Sequence, residues 1–119
     1  MKKQNILKKS KDYNRIIKKR KGINSNYFII NVEQNNENIT KFGITFTKNI
    51  GKAVIRNKLK RRIKSIIDNN QYIFKNNTTY VIIAKKTTLN LKYYELEKEL
   101  VNLFLKIKGE KYEKDQENK

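Results

Sequence analysis

The chain has 119 residues and carries 29 Lys and Arg against 11 Asp and Glu, a formal net charge of +18. It has no cysteine and no histidine, which excludes disulfides and any disulfide partner, thiol nucleophiles, Cys/His zinc sites and imidazole acid–base catalysis. That length suits one domain, and so large a positive excess, which repels itself in the compact state, points to a polyanionic partner.

The opening Met1-Lys2-Lys3-Gln4-Asn5-Ile6-Leu7-Lys8-Lys9 is basic with no apolar segment behind it, so no signal peptide is expected. No stretch nears the roughly 20 apolar residues that span a bilayer, and a cytoplasmic protein is the expectation. A first helix is predicted near 10–20. Ser10 is a fair N-cap, Asp12 lies in the first turn, Tyr13, Ile16 and Ile17 share a face, and Gly22 is a plausible stop.

Residues 27–32 read as a strand, with Phe28, Ile30 and Val32 on one face and Tyr27, Ile29 and Asn31 on the other. The polar run 33–38 is a turn. Residues 39–47 alternate, with Phe42, Ile44 and Phe46 opposite Gly43, Thr45 and Thr47. Together the two strands look like an antiparallel hairpin with one buried and one semi-polar face.

A second helix runs from Gly51 to about Asn69. Its apolar residues Ile55, Leu59, Ile63, Ile66 and Ile67 fall within one stripe of about 120°. Residues 78–84 form a strand that is apolar on both faces and therefore central. Tyr93, Leu96, Leu100, Leu103, Phe104 and Ile107 define a third helix over about 92–108, with Asn90 as a candidate cap. The charged run 109–119 lacks aliphatics and is expected to be a disordered tail beyond a domain of residues 1–108. The order helix, strand, strand, helix, strand, helix gives an α+β domain with helices mainly on one side of a small mixed sheet.

The second helix carries the chemistry. Lys48 and Lys52 lead into it. Arg56, Asn57, Lys60, Arg61 and Lys64 project away from its apolar stripe, Lys58 and Arg62 flank the stripe, and its sole acid, Asp68, lies at the far end. A solvated face ordinarily mixes signs. Here Arg56–Lys60, Lys58–Arg62 and Lys60–Lys64 are like-charge i,i+4 pairs, each costing about 0.2–0.5 kcal/mol. Charge neutralised on binding explains such a row. Guanidinium groups fork onto phosphates, and an Asn amide both donates and accepts at a base edge or 2′-hydroxyl, which suits RNA.

The polar face of the expected hairpin supplies a second candidate. Tyr27, Asn31, Thr45 and Thr47, with Tyr13 and Ile17 brought over them by the first helix, would line an aromatic and hydroxyl-bearing groove for a single strand. The same spacing equally fits a second small core under that helix. No catalytic residue is expected in the chain itself. Glu95, Glu97 and Glu99 read as a solvated face, and Gly51-Lys52 lacks the rest of a phosphate-binding loop.

Gly51-Lys52-Ala53-Val54-Ile55-Arg56-Asn57-Lys58-Leu59-Lys60-Arg61 closely resembles the signature helix of the bacterial ribonuclease P protein family. Leu7-Lys8-Lys9-Ser10-Lys11-Asp12-Tyr13 is similar to the family's opening, and Phe42 to Lys48 to its strand before the helix, so the likeness spans about residues 4–108. The resemblance implies a subunit of an endoribonuclease that removes 5′ leaders from precursor tRNA, with the catalytic RNA and its Mg²⁺ performing the hydrolysis. It implies partnership with that RNA and with precursor tRNA, a fourth strand in an αβββαβα order, and a left-handed βαβ crossover. It places Arg56, Asn57, Lys60 and Arg61 in the signature, with Lys58 where an Arg is usual. It places Tyr13 at an aromatic position of the leader groove, and Ile17 and Asn31 where aromatics are often found.

A ribosomal or other structural RNA-binding protein is the alternative that the same charge permits. A basic membrane-surface binder is disfavoured, because the amphipathic helices have little apolar face beyond what the core needs.

Overall fold

The computed structural model describes the backbone of residues 1–117 and the side chains of residues 1–109. In chain order it contains α1 (Ser10–Lys19), β1 (Gly22–Asn24), β2 (Phe28–Gln34), β3 (Thr40–Phe46), α2 (Ala53–Asn69), β4 (Thr78–Ala84) and α3 (Tyr93–Glu117). The αβββαβα order is the one the family resemblance implied. Short 3₁₀ turns cover Lys3–Asn5, Gln71–Ile73 and Lys86–Asn90. α3 continues through 109–117, where a disordered tail is expected, while the side chains beyond residue 109 and the whole of 118–119 lie outside the described residues.

The sheet order is β1-β2-β4-β3. β4 runs antiparallel to β2, from Phe28↔Ala84 to Gln34↔Thr78, and parallel to β3, from Thr40↔Thr78 to Phe46↔Ala84. The expected hairpin of residues 27–32 and 39–47 is therefore replaced by two strands held apart by a third. The physical reason is the apolarity of Thr78–Ala84: with both faces buried and both edges paired, it belongs in the middle. The polar run between β2 and β3 steps across it. Asn35 N–H donates to Asn77 O at 2.7 Å, Asn77 N–H donates to Ile39 O at 3.1 Å, and the Asn35 amide bonds Thr79 Oγ1 at 2.9 Å.

The fourth strand, β1, has a single apolar residue, Ile23, and is invisible to alternation. Its first residue, Gly22, is not the stop of α1. Arg20 closes that helix in the left-handed conformation at φ 53°. Gly22 has φ 155°, and a Cβ there would stand 1.8 Å from Ile30 O, so only glycine lets β1 join β2. Ser10 is the first helical residue, with Lys9 at the N-cap and no side-chain cap.

One sheet face builds the main core. Phe28, Ile30, Phe42, Ile44, Tyr80 and Ile82 meet Leu59, Ile63, Ile66 and Ile67 of α2 and Leu96, Leu100, Leu103 and Phe104 of α3. Phe42, Phe74, Tyr80 and Phe104 interlock with ring centroids 4.8–5.6 Å apart. Burial pushes the Tyr80 phenol above its usual range. α3 is capped at Lys92, whose N–H is bonded by Glu95 Oε1 at 2.9 Å, while the expected cap Asn90 sits in the preceding 3₁₀ turn. The Tyr93 hydroxyl ties α3 to Ser65 of α2 at 2.8 Å.

The opposite face holds a smaller core of Leu7, Ile16 and Val81, with Tyr13, Ile17 and Ile83 half-buried around it. α1 thus covers the far side of the sheet from α2 and α3. Among the described residues no helix is long and apolar enough to cross a membrane.

Candidate nucleic-acid interface

α2 starts at Ala53, two residues later than its pattern suggests, and carries no acid in its first turn and no side-chain cap. Its apolar stripe is anchored from Leu59 onward, while Ile55 is 37% exposed. Lys48, Lys52, Arg56, Asn57, Lys58 and Arg61 are exposed, and Lys60, Arg62 and Lys64 are partly buried. Among the described residues, the ion pairs are those of Met1 with Asp68, Arg15 with Asp12 and Glu33, Lys19 with Glu33, and Lys41 with Glu37. None involves a cation of α2. The Arg56 guanidinium makes one long bond, 3.4 Å to Gly51 O, and leaves the rest of its fork free. Asp68, the helix's sole acid, is engaged by the Met1 ammonium at 2.8 Å. Lys52 and Arg56 sit at the N-terminal turn of α2, where the backbone dipole already disfavours cations.

The Arg15 guanidinium presents a contrast. It grips Glu33 of β2 through Nε at 3.1 Å and Nη2 at 2.8 Å, and Asp12 through Nη1 at 2.7 Å, while Lys19 reaches Glu33 at 3.0 Å. The Arg15 hydrogen bonds, with help from Lys19, hold the Glu33 carboxyl down to about 2. The same contacts, Glu33 first and Asp12 second, raise the Arg15 guanidinium above its ordinary value. This cluster sets α1 over β2.

Two open depressions flank α1 on that face and share Ile17. One, of about 320 Å³, is bordered by Ser10, Tyr13, Asn14, Ile17, Ile44 and Thr45. The other, of about 370 Å³, is bordered by Ile17, Arg20, Gly22, Ile23, Asn24, Ile29, Asn31 and Ile83. Tyr13, Ile17, Asn31 and Thr45 are thus brought together. The groove and the second small core are one feature, since Tyr13 and Ile17 belong to both. The Tyr13 hydroxyl donates to Leu7 O at 3.1 Å, and burial pushes its pKa up. Gly43 floors the ring: a Cβ there would lie 2.6 Å from Tyr13 Cε1.

Tyr27 and Thr47 are not in this groove. Ser25 Oγ takes the N–H groups of Tyr27 and Phe28 at 3.2 and 3.1 Å. That bend removes Tyr27 from the strand's alternation and packs it against the main core. The Thr47 hydroxyl donates to Asn49 Oδ1 at 2.8 Å in the turn before α2. Periodicity missed Arg20 and Asn24, because Arg20 is the left-handed residue that closes α1 and Asn24 lies on a strand of three residues. Two glutamates of α3 serve structure: Glu95 caps, and Glu97 accepts from the Asn70 amide at 3.1 Å.

The described residues thus carry a row of cations without carboxylate partners on α2 and a groove beside α1, and the chain is similar to known proteins over most of its length. The family model described as Ribonuclease P matches residues 1–108. The ribonuclease P protein component of Mycoplasma capricolum is 38% identical over 109 residues, covering 91% of this chain and all of that relative. That of Bacillus pumilus is 34% identical over 107 residues, covering 89% of this chain and 90% of the relative. The structure of a Staphylococcus aureus RNase P protein mutant with defective mRNA degradation activity superposes with a TM-score of 0.81 at 25% identity, covering 89% of this chain and 90% of that one. The RNase P protein from Thermotoga maritima gives 0.76 at 27% identity, covering 85% and 96%. With the match running from the first residue through the signature helix and into α3, the chain belongs to the ribonuclease P protein family.

Proposed function

We propose that the chain is the RNA-binding protein subunit of ribonuclease P and assists removal of 5′ leaders from precursor tRNA without breaking bonds itself. The observation that carries this reading is the set of α2 cations with no carboxylate partner among the described residues. Lys48, Lys52, Arg56, Asn57, Lys58, Lys60, Arg61 and Lys64 meet the catalytic RNA, with Arg56 and Arg61 forking onto phosphates. Tyr13, Ile17, Asn31 and Thr45 receive the single-stranded leader, and Arg20 stands where a leader phosphate would pass. Tyr13 offers an edge or face for one base, and Asn31, only 4% exposed, offers an amide that both donates and accepts.

Mg²⁺ belongs to the RNA in this reading. Among the described residues no three His, Cys, Asp or Glu side chains gather to hold a metal, so the residues present do not fit a resident ion. The chain instead supplies fixed positive charge that replaces part of the ionic atmosphere around crowded phosphates. Its working compartment is the cytoplasm, where precursor tRNA is made.

The test is precursor-tRNA cleavage by a bacterial ribonuclease P RNA at low Mg²⁺, with and without the chain. Stimulation is expected. RNA binding without stimulation would instead support a structural RNA-binding protein. If about six phosphates are neutralised, affinity falls about a thousandfold between about 50 and 200 mM salt.

A further inference from the structure

The first two turns of α2 expose apolar side chains that the core does not use. Val54 is 78% exposed and Ile55 37%, and Leu89, on the neighbouring 3₁₀ turn Lys86–Asn90, is 41% exposed. Scattered apolar residues on a surface are ordinary. These three converge on one groove of about 410 Å³, floored by the buried Leu59 and edged by Lys58 and Arg62. An apolar cleft beside two cations without ion-pair partners among the described residues fits a ligand with one flat apolar surface and one anionic end. A nucleotide that has left its stack has that composition: the base offers a π-face, and the phosphate offers charge.

We infer that this groove receives one unpaired nucleotide of the catalytic RNA, its base against Val54, Ile55 and Leu89 and its phosphate at Lys58 or Arg62. The inference rests on α2 being the helix that faces that RNA. A second copy of the chain is a poorer occupant, because it would bring +18 against +18 and place Lys58 and Arg62 among further cations. An acidic amphipathic protein segment shares some of the complementarity and is separated by the experiment.

The full chain and a bacterial ribonuclease P RNA are compared for the wild type, the exposed double variant V54S/L89S, and Leu89→Tyr. For V54S/L89S, affinity is expected to fall about tenfold with the salt slope unchanged, since no phosphate contact is lost. One unpaired nucleotide, protected from chemical modification by the wild type, becomes reactive in that complex. Leu89→Tyr adds a ring to the groove and tightens binding severalfold. Wild-type affinity and protection in both variants, with the steep salt slope intact, overturn the groove while leaving α2 on the RNA. A wild type that binds the RNA without that slope overturns the underlying reading instead. V54S/L89S that protects RNA normally but loses a protein complex hands the groove to a protein partner.

Discussion

α1 and α2 are both rich in Lys and Arg, yet they use that charge in opposite ways. In α1, Arg15 and Lys19 are spent on Asp12 and Glu33, and the result is a helix fixed over the sheet. In α2, no cation meets a carboxylate among the described residues, and neighbours one turn apart repel. The difference shows that local charge density does not identify a binding surface. What singles out α2 as the proposed RNA face is a whole row of uncompensated cations, whereas in α1 only Lys11 and Lys18 lack carboxylate partners among the described residues. Contacts of the first kind set distances within the protein, and those of the second kind are available to a partner.

Replacing Arg56 and Arg61 together by Ala tests the comparison hardest. Affinity for the catalytic RNA should fall about a hundredfold, and the log–log salt slope should shrink by about 1.5, with the urea unfolding midpoint nearly unchanged. Arg15→Ala should do the reverse, keeping the slope and lowering the midpoint. A salt slope that responds to Arg15 and not to Arg56 and Arg61 would exchange the roles of the two helices.

Gly43→Ala probes the groove that α1 forms with the sheet. The added methyl overlaps the Tyr13 ring, so the ring must move, at a cost of about 1–3 kcal/mol of stability. Preference for precursor over mature tRNA should fall, while binding to the catalytic RNA is retained. Equal loss of both would remove Tyr13 from leader recognition.

Glu33→Gln should cost about 1 kcal/mol at neutral pH, a modest figure because Arg15 and Lys19 remain exposed to solvent. The Glu33 carboxyl lies near 2 when folded against an ordinary 4.5. Its stabilisation is therefore complete above pH about 4.5 and is lost as pH falls from there toward 2. Urea midpoints across that window should decline more steeply in the wild type than in Glu33→Gln. The smallest effect is expected from Lys58→Arg, which restores a two-pronged phosphate contact and should tighten RNA binding about twofold to threefold.

The periodic elements were readable from residue order because their signals are local. Leu59, Ile63, Ile66 and Ile67 announce the buried stripe of α2, and the two-faced apolarity of residues 78–84 announces a central strand. Pairing was not readable in this way. Which strand lies beside β2 depends on residues some fifty positions away, so sequence proximity favoured a hairpin that the fold does not contain. β1 was hidden because three residues carry no period. Of the candidate site, the α2 cations were legible from their sign alone. The groove was legible only in part: Tyr13, Ile17, Asn31 and Thr45 follow helix and strand periods, whereas Ser25 redirects the chain at Tyr27 through hydrogen bonds that no alternation encodes.

The central position of β4 also governs the order in which the molecule can assemble. As the polypeptide is synthesised, β2 and β3 emerge first, and neither has the other as a neighbour; both wait for residues 78–84, made after the whole of α2. Through that interval β2 has only the three-residue β1 to pair with and β3 has no strand partner, with the polycationic helix already made. Repulsion between chains that each carry +18 opposes association of such segments before the last strand arrives.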